Sequence, residues 1–205
     1  MLKHLHAIGN GKHFHDESVL HTVAGVLAGF AATAPMTAAM ELLFRRLPRH
    51  EQYPLPPREI TEELTERTDI GDDLPEPHHQ ALTMAAHFGY GSSMGALYGL
   101  IFPRETKAPM LQGTAFGLGV WAASYLGLLP ALGILKPATH HPPRRTLLMI
   151  AAHIVWGSTL GVLTNTARRA LGGENRATSR ARESANAAAR TQEQLGHERL
   201  QPKGA

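Results

Sequence analysis

Residues 151–161 read AAHIVWGSTLG, inside a longer stretch, Thr146 to Ala167, that carries no Asp, Glu, Lys or Arg. A helix needs about 20 apolar residues to cross a bilayer core of about 30 Å. Three more uncharged blocks precede this one: Val19 to Met40, Pro77 to Pro103 and Ala108 to Leu135. A soluble helical bundle shows charged residues along its outer faces; these blocks show none. The mean hydropathy of the chain is slightly negative only because polar and apolar residues are segregated along it. The blocks therefore predict an all-α membrane protein with four transmembrane helices, at about 19–47, 79–102, 110–135 and 146–168.

Outside the blocks the sequence changes character. Residues 1–18 are a polar, histidine-rich tail with His4, His6, His13 and His15, and the first apolar block is too long for a cleavable signal. The four spans make one domain, 19–168. A basic segment, 169–205, lacks an apolar stripe and is expected to be disordered or loosely helical. Between the first two spans lies LPPREITEELTER, residues 55–67. Pro57 suits a first helical turn, and Ile60 and Leu64 share a face among Glu59, Glu62, Glu63 and Glu66. This predicts a short acidic surface helix, about 57–67, in the first extramembrane loop. Lys and Arg are modestly biased to the side of the termini, which favours both termini on the cytoplasmic side of the membrane.

A second copy of the opening motif stands at residues 85–95, AAHFGYGSSMG. Both copies run Ala-Ala-His, an aromatic three residues later, then Gly-Ser and a closing glycine, with His87 and His153 sixty-six residues apart. GVLAG at Gly25–Gly29 is answered by GTAFG at Gly113–Gly117, and LPPRE at Leu55 by HPPRR at His141. The pattern predicts two parallel helical-hairpin repeats related by an axis along the membrane normal, the acidic helix being an insertion in the first. Small residues four apart mark the contact faces of membrane helices. The expected packing residues are Gly25 and Gly29, then Gly91, Gly95 and Gly99, then Gly113 and Gly117, and last Gly157 and Gly161.

His87 and His153 head two of these glycine rows, and Glu41 continues the row of the first helix. Ionisable groups inside a membrane pair with each other or mark a pathway, so Glu41, His87 and His153 form a candidate intramembrane polar cluster. Structural hydrogen bonding between helices, proton-linked chemistry and metal binding are the three open roles. Met84 and Met149 sit one turn before the histidines, and thioether with imidazole suits copper(I). These four residues are weak metal candidates, and no cofactor is expected. The absence of cysteine removes disulfides and thiolate sites. No catalytic triad spacing, phosphate loop, dinucleotide fingerprint or HExxH is present, so an enzyme is not expected. The anticipated partner is the lipid bilayer, whose anionic headgroups suit the basic tail better than nucleic acid does; a homo-oligomer is left open.

YPLPPRE at residues 53–59, the glycine-rich helix starts and AAHIVWG in the last span resemble the YagU-like bacterial inner-membrane proteins, over roughly residues 20–168. The resemblance implies a small polytopic protein without an established biochemical activity, and it supplies no catalytic residues. The histidine-rich start and the Arg/Ala-rich tail depart from it. The expected function is that of a polytopic inner-membrane protein with a structural or stress-associated role. The alternative is a small proton- or metal-linked membrane carrier using Glu41, His87 and His153.

Overall fold

The computed structural model describes residues 3–67 and 75–200, with side chains from Val19 to Ala170 within those bounds and in parts of the segment beyond. The described residues are helical and contain no strand. The α-helices are α1 (Lys3–Phe44), α2 (Pro56–Arg67), α3 (Glu76–Ile101), α4 (Pro109–Ala122), α5 (Leu129–Ala131) and α6 (Pro143–Leu200). A π-helical stretch, Ala123–Leu128, joins α4 to α5 into one rod. Such wide turns accommodate a local misfit in the hydrogen-bond ladder, and here the stretch runs up to Pro130, which has no N–H to donate.

Three helical segments are long and apolar enough to cross a membrane: Val19–Phe44, Pro109–Ala131 and Pro143–Ala170. The sequence suggested four, judged by the absence of charge. The remaining helix, α3, has the length, at 26 residues, but its glycines, serines, tyrosines and histidines dilute its apolar content. Helix ends also differ from the sequence expectation. α1 begins at Lys3 and stops at Phe44 rather than running 19–47. The third rod stops at Ala131, not 135, because the chain turns at Gly133, whose φ of 67° is the left-handed conformation that ends helices. α6 starts at Pro143, in the first-turn position proline favours, and continues to Leu200. From Ala167 onward the chain forms a separate compact unit. Its Ala, Arg, Glu and Gln are strong helix formers, so it is helical without an apolar stripe.

Within the first unit, Met1–Thr166, the rods pack as two glycine seams. A side chain on Gly25 would run into the Gly95 carbonyl and Gly99 Cα, and one on Gly29 into the Gly91 carbonyl and Gly95 Cα. α1 and α3 thus lie antiparallel, backbone against backbone. In the second seam Gly113 faces the Gly157 carbonyl and Gly161 Cα, while Gly117 faces the His153 carbonyl and Gly157 Cα. α4 and α6 are antiparallel in the same way. The two pairs join through larger side chains. Tyr98 is buried among Phe102 and Phe116 and donates its hydroxyl to Gln112 Oε1 at 3.0 Å. The Trp156 indole donates to the Gly29 carbonyl at 3.3 Å.

The same contact pattern recurs in both seams. The contacts of Gly29 with Gly91 and Gly95 match those of Gly117 with His153 and Gly157, and equally those of Gly113 with Gly157 and Gly161. Rows of small residues at four-residue spacing present the same face after a slip of one turn, so the seams match with His153 in the place of Gly91 or of His87.

Candidate functional site

A cavity of about 270 Å³ lies in the bundle on the side of α2. One turn-spaced face of α2, with Pro57, Ile60, Thr61 and Leu64, forms one wall. α3 contributes His87, Tyr90 and Met94, the π-helical stretch Ser124 and Tyr125, and α6 Met149, His153 and Trp156. The wide π turn carries two of the polar lining residues, Ser124 and Tyr125.

His87 and His153 both line this space, but their surroundings differ. His153 is 5% exposed. Its Nδ1–H donates to the Met149 carbonyl at 2.8 Å, which leaves Nε2 as the acceptor of the neutral ring, and Tyr125 packs against the ring edge to face. His87 is half-buried, and its Nε2 is enclosed without a hydrogen-bond partner. Tyr90 and Ser124 satisfy each other, hydroxyl to hydroxyl, at 2.9 Å.

The structure does not bring Glu41 to the histidines. Its side chain is more than half exposed and accepts from Arg45 Nε at 2.9 Å, one turn along α1. α1 stays packed past this point, with Met40 buried and Leu43 and Phe44 against the core; a row of residues four apart drifts around the helix, and by Glu41 it has turned outward. Among the described residues no three of His, Cys, Asp and Glu are grouped to hold an ion. Met149 lines the cavity, whereas Met84 is exposed and does not. The side chains of His4, His6, His13 and His15 lie outside the described residues. The expected packing glycines, Gly25, Gly29, Gly91, Gly95, Gly99, Gly113, Gly117, Gly157 and Gly161, all stand at helix contacts.

Sequence reasoning overlooked Arg145. It is 4% exposed, and its guanidinium donates to the carbonyls of Glu51 at 2.9 Å, Tyr53 at 2.8 Å and Pro54 at 2.7 Å. It also lies 3.4 Å over the Tyr53 ring and 3.4 Å from Glu59 Oε1. The YPLPPRE loop is thus wrapped around one arginine, whose planar fork suits several acceptors at once. Arg58, in the matching Pro-Pro-Arg motif, instead pairs at the surface with Glu62 and Glu76. His141 adds to the loop's hold: its Nε2–H donates to the Lys136 carbonyl at 3.2 Å and its Nδ1 accepts from the Tyr53 hydroxyl at 3.3 Å. α2 is fastened at its far end by Arg67, which donates to the carbonyls of Leu132 and Gly133, each at 3.0 Å.

Burial pushes the Glu59 carboxyl above its usual 4.5, with Arg145 and His141 pulling the other way. A raised carboxyl pKa means the folded state prefers the protonated form. Its contribution to stability is present below the unfolded value and is lost as pH rises through the folded one. Glu59→Gln, neutral at every pH, is expected to melt at a higher temperature than the wild type at pH 7, with the gain shrinking as pH falls toward 4. A Gln variant that melts lower at pH 7 would mean that the Arg145 contact outweighs burial.

No curated protein and no solved structure matches the chain. A family model described as a protein of unknown function, DUF1440, matches residues 40–162, from the end of α1 through the last seam glycine. That match takes in α2, the whole of α3 and the loop around Arg145, and it covers more than half of the sequence: the chain belongs to the DUF1440 family.

Proposed function

We propose that this protein is a multi-pass inner-membrane protein of structural or stress-associated role, built as two helical hairpins and without enzymatic activity. The observation that carries the reading is the outer surface of the bundle. Leu111 is 71% exposed, Leu27 65% and Leu147 62%, and Val19, Phe30, Leu97, Leu100 and Leu126 join them. A surface of exposed large apolar side chains on uncharged helices needs an apolar surround, and the bilayer supplies it. α3 is the fourth span in this reading. It is less apolar than the others, but it is held against α1, one of the three apolar spans, by direct backbone contact along Gly91, Gly95 and Gly99. The matching contact pattern of the two seams supports a hairpin repeat, with α2 inserted outside the membrane. The narrower resemblance to YagU-like proteins favours the same location.

Both termini lie in the cytoplasm in this reading, with α2 on the opposite side. The chain has no cysteine, so single-cysteine variants report cleanly. Glu66→Cys, at an exposed position of α2, is expected to react with an impermeant maleimide in intact spheroplasts. Ala185→Cys, exposed on α6, is expected to react only after permeabilisation. The reverse pattern inverts the topology, and recovery of the protein in the soluble fraction without detergent overturns the membrane reading.

A further inference from the structure

We propose that the cavity beneath α2 is a binding site for a small uncharged molecule with an apolar body and one hydroxyl group, a function beyond the structural role above. Size is the first ground. A dry cavity of about 150 Å³ accommodates benzene, and this one is about 270 Å³, room for a two-ring or eight-carbon body. Lining chemistry is the second. Met36, Ile60, Leu64, Met94, Val120 and Trp156 make most of the wall apolar, and no Asp, Glu, Lys or Arg lines it. An ionised ligand would find no counter-charge there, since Arg145 is committed to the loop carbonyls.

The third ground is the unmet hydrogen bonding. Tyr90 and Ser124 share one hydrogen bond, and His153 Nδ1 is committed to the Met149 carbonyl. That leaves His153 Nε2 as an acceptor on a residue that lines the cavity, whereas His87 Nε2 is enclosed and out of a ligand's reach. A buried ring nitrogen is costly to leave unpaired. A ligand hydroxyl can donate to His153 Nε2. An acyl chain would fill the apolar part and give that nitrogen no donor, and water alone requires two to four polar partners in a wall that is mostly apolar. α2 closes the site with Pro57, Ile60, Thr61 and Leu64, and it is tied down at Glu59 and at Arg67.

The test uses the full-length protein in lipid nanodiscs and an octanol bearing a diazirine, followed by peptide mapping. Photolabel is expected on the segments that carry Met94, Val120 and Trp156. Unlabelled 1-octanol should suppress it about tenfold more effectively than octane, the worth of one hydrogen bond. His153→Leu should remove that preference and His153→Gln retain it. Val120→Phe, which fills the cavity, should abolish labelling without lowering the melting temperature. If His153→Leu does not fold, the octanol-to-octane comparison on the wild type and Val120→Phe still decide. Labelling confined to outer residues such as Leu27 and Leu111 would show partition into the bilayer only and overturn the proposal. Equal competition by octane, or labelling that survives Val120→Phe, would overturn it as well. So would labelling that appears only after lipid is stripped and vanishes when lipid is restored, which marks a slot for a lipid chain.

Discussion

Gly95→Ala is expected to cost this protein about 3 kcal/mol of stability, while Gly89→Ala, less than two turns away on the same helix, is expected to cost nothing and to gain up to about 1 kcal/mol. A Cβ on Gly95 would lie 2.8 Å from Gly29 Cα and closer still to the Gly25 carbonyl oxygen. Both obstacles are backbone, which cannot swing aside as a flexible side chain does, so α1 and α3 must move apart along their shared length. At Gly89 an added methyl meets nothing within 4 Å and brings only the better helix propensity of alanine. The second seam offers an independent copy of the experiment: Gly157→Ala strikes the Gly113 carbonyl and Gly117 Cα, whereas Gly119 faces open space. Thermal melts in detergent of the four variants separate the cases. Equal shifts for Gly95→Ala and Gly89→Ala would refute a close backbone seam.

Arg145→Ala carries the other large effect, a loss of about 3–5 kcal/mol, the usual result of stranding the partners of a buried charge. Three loop carbonyls and the Glu59 carboxylate lose their donor together. Arg145→Lys should recover little, because an ammonium lacks the planar fork that reaches several acceptors and lies flat on Tyr53. Adding Glu59→Gln to Arg145→Ala should return part of the loss by removing the unpaired buried carboxylate, and a double-mutant cycle measures that coupling. Arg58→Ala is the contrast. Its pairs with Glu62 and Glu76 are at the surface, and exposed pairs are worth up to about 1 kcal/mol. If Arg58→Ala and Arg145→Ala lower the melting temperature alike, Arg145 is not the anchor of the loop.

Helices and their contact faces were legible because charge-free length and glycine spacing are local properties. The faces of Gly91 and Gly157 could be named from four-residue spacing, and both sit in seams. Axial register between the two pairs was not legible, since a glycine row looks the same after a slip of one turn. Nor did spacing show that the four-residue row of α1 has turned to the outer face by Glu41, which is why a three-residue cluster shrank to two histidines. Arg145 was hidden for another reason. Its acceptors are backbone carbonyls of residues 51, 53 and 54, and a carbonyl has no signature in a sequence. The inward face of α2 was half visible: Ile60 and Leu64 were placed on one side, but a cavity beneath them depends on what four other helical rods leave empty.

The two seams also divide the molecule mechanically. Where backbone rests on backbone there is no side chain to rotate or compress, so α1 with α3, and α4 with α6, behave as stiff planks. Between the planks lie aromatic rings and a void, the compressible part of the bundle. Elastic strain from bilayer tension or hydrostatic pressure gathers in that plane, where closing a void yields volume. α2 crosses the same plane: Arg58 ties it to Glu76 at the head of α3, and Arg67 and Glu59 tie it to the turn after α5 and to the head of α6. It works as a tie-bar, and the gap between the planks can widen only as far as those ion pairs and hydrogen bonds stretch.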